Sequence, residues 1–487
     1  MITQLTARHV LGFDGTQHVL FTDGQVIMED DVIRYVGTSY DGPVDEYRDY
    51  GNSVITPGLI DLDALTDIDH LIIDSWPTPE TAPGLQWSRD YFEQRRRDVF
   101  TLEQRHTVRR FALAQLALHG VTTFMPIASE IHSAWAESLA ELKDMTATTL
   151  ELGLRGFLGP AYRSGINVTD DDGSRVILFD EDEGRRGLRE AVEFLDYTQE
   201  LHHPLVTGVL LPCRIETLSA DLLRETARVA LDRDALVRLH CLQSPAEDDF
   251  LRERTGNTVL QELEDSRMLQ ARLLIPHGIV IDALGLEATA AGGPLELLAR
   301  HGVSVVHCPL TTFHYGKALS SFDAFHAAGI TMCLGTDSFP PDLIRGIDVG
   351  THLARLVEGR SDAGKVSDFF NAATLGGATA LGRPDLGRIA PGAQADLTIF
   401  SHDDFRDGVQ EDPLRTLVLN GSARNVTDTF VAGRPVVVDS ALPGIDLAEL
   451  MRDGQELFEL MVAAYPERDY RRRSAEELFP GTYPAAQ

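Results

Sequence analysis

The chain is poor in lysine. Only Lys143, Lys317 and Lys365 occur in 487 residues, so arginine supplies nearly all of the 43 basic side chains that face 75 acidic ones. The resulting formal charge of −32 argues against a nucleic-acid partner, because phosphate binding needs a basic face. Cysteine is scarce too. Cys213, Cys241, Cys308 and Cys333 form no C-x-x-C pair, which argues against a zinc knuckle or a redox motif. Few, scattered cysteines in a large acidic chain fit a reducing, cytoplasmic setting. No apolar run approaches the roughly 20 residues of a membrane span, so no membrane partner is expected. The opening "MITQLTARHVLGFDG" lacks a basic stretch followed by an apolar one, so no signal peptide is expected. Low-complexity tracts and internal repeats are missing as well.

What is present is an ordinary globular composition, 43% hydrophobic and 24% charged. The length suits a large barrel with a satellite. Both ends read as short strands punctuated by Gly and Asp: "HVLGFDG", "GQVIMEDDVIRYVG" and "NSVITPG" early, residues 387–400 and 426–438 late. They predict a small β-sandwich built from residues 1–56 and 388–440, with a helical extension over 441–487. Between them, apolar runs alternate with amphipathic helical stretches. "VITPGLIDLD" is followed by runs at 120–128, 154–161, 205–213, 235–243, 272–281, 303–309 and 330–338. Eight such units over about 300 residues predict an α/β fold, a (β/α)8 TIM barrel spanning 57–387. Runs apolar on both faces suit buried parallel strands.

The polar residues at the ends of these runs point to function. His240, His277, His307 and Asp337 fall near the C-terminal ends of strands five to eight, the rim where this fold carries its active site. One histidine after an apolar run is usually a satisfied core residue. Four on consecutive strands make a site the better reading. On strand one, Asp61, Asp63 and Leu65 would share a face.

In this order and spacing, "PGLID", "GVTTF", "RLHCLQS", "PHG", "HCPLTTFHYG", "LGTDS" and "GRIAPGAQADLTIF" resemble the amidohydrolase superfamily, in the branch of cytosine and guanine deaminases and triazine chlorohydrolases. The resemblance covers nearly the whole chain. It implies a hydrolase in which a divalent ion acidifies water for attack on a small, flat, nitrogen-containing or aromatic substrate, at a non-peptide C–N or similar C–X bond. By position, His240 corresponds to the strand-five ligand, His277 to the strand-six histidine and Asp337 to the strand-eight aspartate that takes the water's proton. Strand four, "LVTGVLLPC", carries no lysine to bridge two ions, so a metal site would be mononuclear. Relatives in this branch are commonly dimers or larger, which implies a homo-oligomer.

Two stretches depart from the pattern. "DLDAL" puts Asp63 and Leu65 where two histidines belong, and "HCLQ" puts Gln243 where a proton-shuttling glutamate belongs. A carboxylate can ligate zinc, iron or manganese; leucine has no donor. The ligand set left is Asp63, His240 and Asp337, with His277 close enough to join. Gln243 can orient a substrate but cannot donate and recover a proton. Asp61 fits a structural position, while Asp67, Asp69 and His70 are weak rescue ligands. Cys241, and Cys308 likewise, should point away from the site into the barrel–helix layer as buried thiols. Tyr162, Arg163, Arg214, His307 and His314, with neighbouring Tyr315, are candidates for substrate contact. An arginine there could clamp an anion or form a plain salt bridge. Trp76 and Trp87 would stack on a ring or pack as a lid.

Three functions therefore remain open: a metal-dependent amidohydrolase, a metal-independent enzyme using His240, His277 and Asp337 as an acid–base set for hydrolysis, elimination or isomerisation, and a binding homologue whose site has decayed. The cofactor is correspondingly one divalent ion or none.

Overall fold

A computed structural model describes residues 1–69, 77–127, 133–281 and 293–484. His70 and Trp76 lie outside these.

Two four-stranded parallel sheets carry the centre of the molecule. In the first, Leu59–Leu65 pairs with Val121–Ile127, which pairs with Arg155–Leu158, which pairs with Val206–Gly208. In the second, Val237–Arg238, Leu273–Pro276, Ser304–His307 and Thr331–Leu334 follow in the same way. A bridge between Leu210 and Val237 links the fourth strand to the fifth. On the other side, the Asp337 amide donates to the Asp63 carbonyl at 2.8 Å, joining the eighth strand's exit to the first strand. All seven residues of Leu59–Leu65 are buried, as a strand covered on both faces requires.

The strands are shorter than the apolar runs that encode them. The run at 235–243 forms a ladder only at Val237–Arg238. Beyond it, His240 and Cys241 make isolated bridges to Arg214 and His277, and Leu242 takes a left-handed φ of 57° that turns the chain off the sheet. Intervening helices follow their sequence signals. Leu102–Leu118 opens with a Thr101–Gln104 capping box, and Ala220–Arg233 is capped by Ser219.

Both chain ends meet in one eight-stranded mixed sheet. Ser53–Pro57 runs parallel to Ile2–Phe13 and antiparallel to Leu397–Ser401, so the late strand is inserted beside the early ones. The described strands of both ends all hydrogen-bond within this one sheet. Beyond it, Leu447–Ala464 forms a helix in the expected C-terminal extension. It packs on Leu102–Leu118, with Gly454 leaving room for the Phe111 ring.

Arg155, on the third strand, ties the two sheet systems together. It is 1% exposed and grips Asp396 with two nitrogens, at 2.9 and 3.1 Å, while also donating to the Pro204 carbonyl. Asp396 precedes the returning strand and also accepts from the Ala432 amide. Removing one partner of a buried pair leaves the other charge uncompensated. Asp396→Ala should therefore cost about 3–5 kcal/mol of stability, read as a lower urea midpoint, and a change within error would deny this pair its anchoring role.

Candidate active site

The first strand delivers Asp63 to the rim with no solvent exposure. Its carboxylate oxygens face different partners. Oδ2 is 3.4 Å from His240 Nε2 and 3.6 Å from the Cys308 thiol, while Oδ1 is 3.3 Å from Arg238 Nη1. Strand eight can approach so closely because residue 335 is glycine: a Cβ there would lie 2.6 Å from that of Asp63. Asp61 lies below and is structural, as expected. It accepts from the Thr336 amide at 3.1 Å and hydroxyl at 2.6 Å. Burial nevertheless lifts its pKa to about 6.

His277 and Asp337 complete the cluster, with Nε2 and a carboxylate oxygen 3.5 Å apart. The rings of His240 and His277 are 5.6 Å apart. His277 has φ 70° and Asp337 has φ 44°. Left-handed backbone is costly for side-chain-bearing residues. Burial drives His277 down to about 3. Burial also raises Asp337 well above the usual carboxylate range, with Asp63 adding repulsion. Burial would raise Asp63 too, but the charges of His240 and Arg238 overcome it and hold that carboxyl below its ordinary value.

A metal ion fits this donor set. One ligand atom each from Asp63, His240 and His277 lie within 4.8 Å of one another. His277 is 1% exposed, and neither ring nitrogen has a hydrogen-bond partner, which a buried imidazole tolerates poorly unless something else takes a lone pair. Asp337 stands beside it. The chemistry matches a catalytic site of three protein ligands with an open position. Leu65, 2% exposed, contributes packing only.

Around this centre several side chains land elsewhere than the sequence suggested. Cys308, expected to face the helices, faces Asp63. His307 takes the outer position instead, its ring 6.2 and 6.1 Å from those of Phe322 and Phe369. Strand alternation allows only one of these neighbours to point inward. Tyr162 is buried against the helix layer, its hydroxyl 3.0 Å from that of Thr226. Arg163 is spent on a loop: its Nε donates to the Trp135 carbonyl, and the Trp135 indole donates back to the Arg163 carbonyl. His307, Tyr162 and Arg163 are thus each engaged within the fold. Trp87 packs with Phe92 under the Arg163 guanidinium, which is the lid-packing alternative. Asp67 accepts from the Ile68 amide and Asp69 from the Tyr465 hydroxyl at 3.0 Å, so neither joins the ligand cluster. Cys241 is buried on the outer side as expected. His314 sits edge-on to Tyr315, whose phenol feels the charges of Asp337 and Arg214.

Arg214 does reach the site. It donates to the Gln243 side-chain oxygen, and its charge acts on Asp337 and His277. Gln243 is thereby fixed by a cation. Two residues went unnoticed in the sequence reading. Arg238 lies two before His240, on the same strand face, and alternation alone would have found it. Glu247, 2% exposed, accepts from the Gln243 amide with both oxygens at 3.2 Å.

The geometry is matched by likeness to known proteins. The model of the amidohydrolase family matches residues 54–436. This chain belongs to the amidohydrolase family. As an amidohydrolase it is a hydrolytic enzyme, and its curated relatives are deaminases. It is 25% identical over 429 residues to the 5-methylthioadenosine/S-adenosylhomocysteine deaminase of Pyrococcus horikoshii, covering 87% of this chain and 93% of that one. It is 26% identical over 448 residues to the 8-oxoguanine deaminase of Pseudomonas aeruginosa, covering 90% and 94%. Among solved structures, the zinc complex of atrazine chlorohydrolase from Arthrobacter aurescens TC1 superposes with a TM-score of 0.76 at 18% identity, covering 93% and 99%. At that identity the likeness establishes the fold alone, an α/β architecture. No helix among the described residues of this amidohydrolase is long and apolar enough to cross a membrane.

Glu247 gives the site's surroundings a pH signature. Burial, then repulsion from Glu216, raises it from 4.5 to about 8. Between those values the folded chain holds a proton that the unfolded chain has released. The stability this proton supports is complete below the ordinary value and disappears as pH rises through 8. The melting temperature should fall between about pH 5 and about pH 9, and Glu247→Gln should flatten that slope. Parallel profiles for the two proteins would refute the assignment.

Proposed function

We propose that this amidohydrolase adds water to an electron-poor ring carbon of a small, flat, nitrogen-containing substrate and breaks an exocyclic C–N or similar C–X bond. The observation that carries this is the convergence of Asp63, His240, His277 and Asp337 within one buried rim cluster. The nucleobase and nucleoside deaminases among its relatives support the substrate class.

Asp63, His240 and His277 would hold a single divalent ion, with Asp337 at its edge. When bound, such an ion supplies the Lewis acidity that brings water's deprotonation towards neutral pH. Asp337 receives the water's proton on its carboxylate. His277, with Nε2 3.5 Å from that carboxylate, would place the ion beside it. Arg214 engages the Gln243 oxygen, which leaves the Gln243 amide nitrogen to donate to a substrate ring nitrogen or oxygen. Gln243 cannot return a proton to a departing amine, so Asp337 must carry one proton through both steps. This favours substrates whose leaving group needs little protonation.

Leu65 and the guanidinium beside Asp63 favour a second reading, in which His277 and Asp337 perform acid–base chemistry without an ion. Metal analysis of the purified protein, paired with turnover of amino- and halogen-substituted purines, pyrimidines and triazines, separates the two. The first reading expects one ion per chain and loss of turnover on chelation. Asp337→Asn should lower kcat by roughly 10²–10⁴. Full turnover by metal-free protein, or an undiminished Asp337→Asn variant, would sink it.

A further inference from the structure

The resemblance expects neutral imidazoles on strand one, where this chain places a buried anion. A lone carboxylate with no exposure is expensive unless something answers its charge. Arg238 does so. It projects from strand five, 3% exposed, with Nη1 3.3 Å from Asp63 Oδ1 and 3.5 Å from the Met125 carbonyl. Its Nε and Asp63 Oδ1 both lack a hydrogen-bond partner, so the two groups meet as charges. Guanidinium keeps its proton throughout the accessible pH range. The cation is therefore permanent, and it is held by the same strand that supplies His240.

We infer that Arg238 is the built-in counter-ion of Asp63, a positioning residue that keeps the rim charge-balanced without an ion and competes with any ion for that carboxylate. The inference rests on reading Asp63 as the site carboxylate. Its first consequence is that the metal-free protein stays folded and ordered at the rim. Its second is weak ion binding, because Oδ1 faces the Arg238 charge at 3.3 Å and the incoming positive charge meets one already in place. The pair also explains how aspartate can stand where a histidine is expected while the adjoining Leu65 offers no donor. The positive charge that stabilises the carboxylate comes from the chain.

A double-mutant cycle tests this on the full-length protein with chelator present. Arg238→Met should lower the melting temperature, and adding Asp63→Asn to the same chain should recover more than half of that loss. Additive losses, or a double variant that fails to fold, would overturn the inference, since the guanidinium would then matter for its shape alone. Zinc titration gives a readout independent of turnover. Arg238→Met should bind zinc at least about tenfold more tightly than the parent and regain melting temperature as it does so. Equal or weaker binding by a variant that does take up zinc would also overturn the inference. A non-additive cycle in which neither protein binds zinc would leave the counter-ion in place and remove the metal-dependent reading of the site.

Discussion

A fully buried carboxylate must be neutralised, and at Asp63 that requirement organises the rim. Its carbonyl takes the amide of Asp337, its Oδ2 faces His240 and Cys308, and its Oδ1 faces Arg238. Strands one, five, seven and eight are thus brought to one residue. Gly335 is small because Asp63 is near, and Asp61 is pinned to Thr336 by the same approach of first and last strands. Displacing Asp63 would disturb the sheet's junction and the site's charge together.

Much of this was legible in the sequence. Periodicity and Gly-rich turns marked the eight inner strands and the β-rich ends, and the order of short motifs identified the family. His240, His277 and Asp337 were found because each follows a strand-like run at the expected rim. What stayed hidden depended on which way a side chain points where regular pairing stops. His307 and Cys308 exchanged faces at the end of their strand. Tyr162 and Arg163 turned into the helix layer and a loop because Thr226 and the Trp135 carbonyl satisfy them there. Arg238 runs against ordinary burial preferences, and its pairing with Asp63 makes its burial tolerable. The two chain ends were read together as one small β-domain, but which strands pair across more than 300 positions is not encoded in local patterning.

Gln243 illustrates how one replacement reshapes its neighbourhood. An amide in a glutamate's place loses a proton carrier, and the structure holds it between Arg214 and Glu247. Arg214 engages its oxygen, and Glu247 takes its backbone amide. The result is a rigid, oriented donor in place of a titrating group. Proton handling then falls to Asp337 and His277, two rim residues that burial shifts in opposite directions.

The left-handed backbone at His277 and Asp337 sets stability against chemistry. Each torsion is a strain the rest of the barrel must sustain. Glycine at either position would relieve that strain while discarding the reactive side chain. Selection for heat resistance alone would tend to erode these two residues first, and selection for turnover would hold them. The two torsions therefore mark where an attempt to harden this enzyme against heat would begin to cost it its reaction.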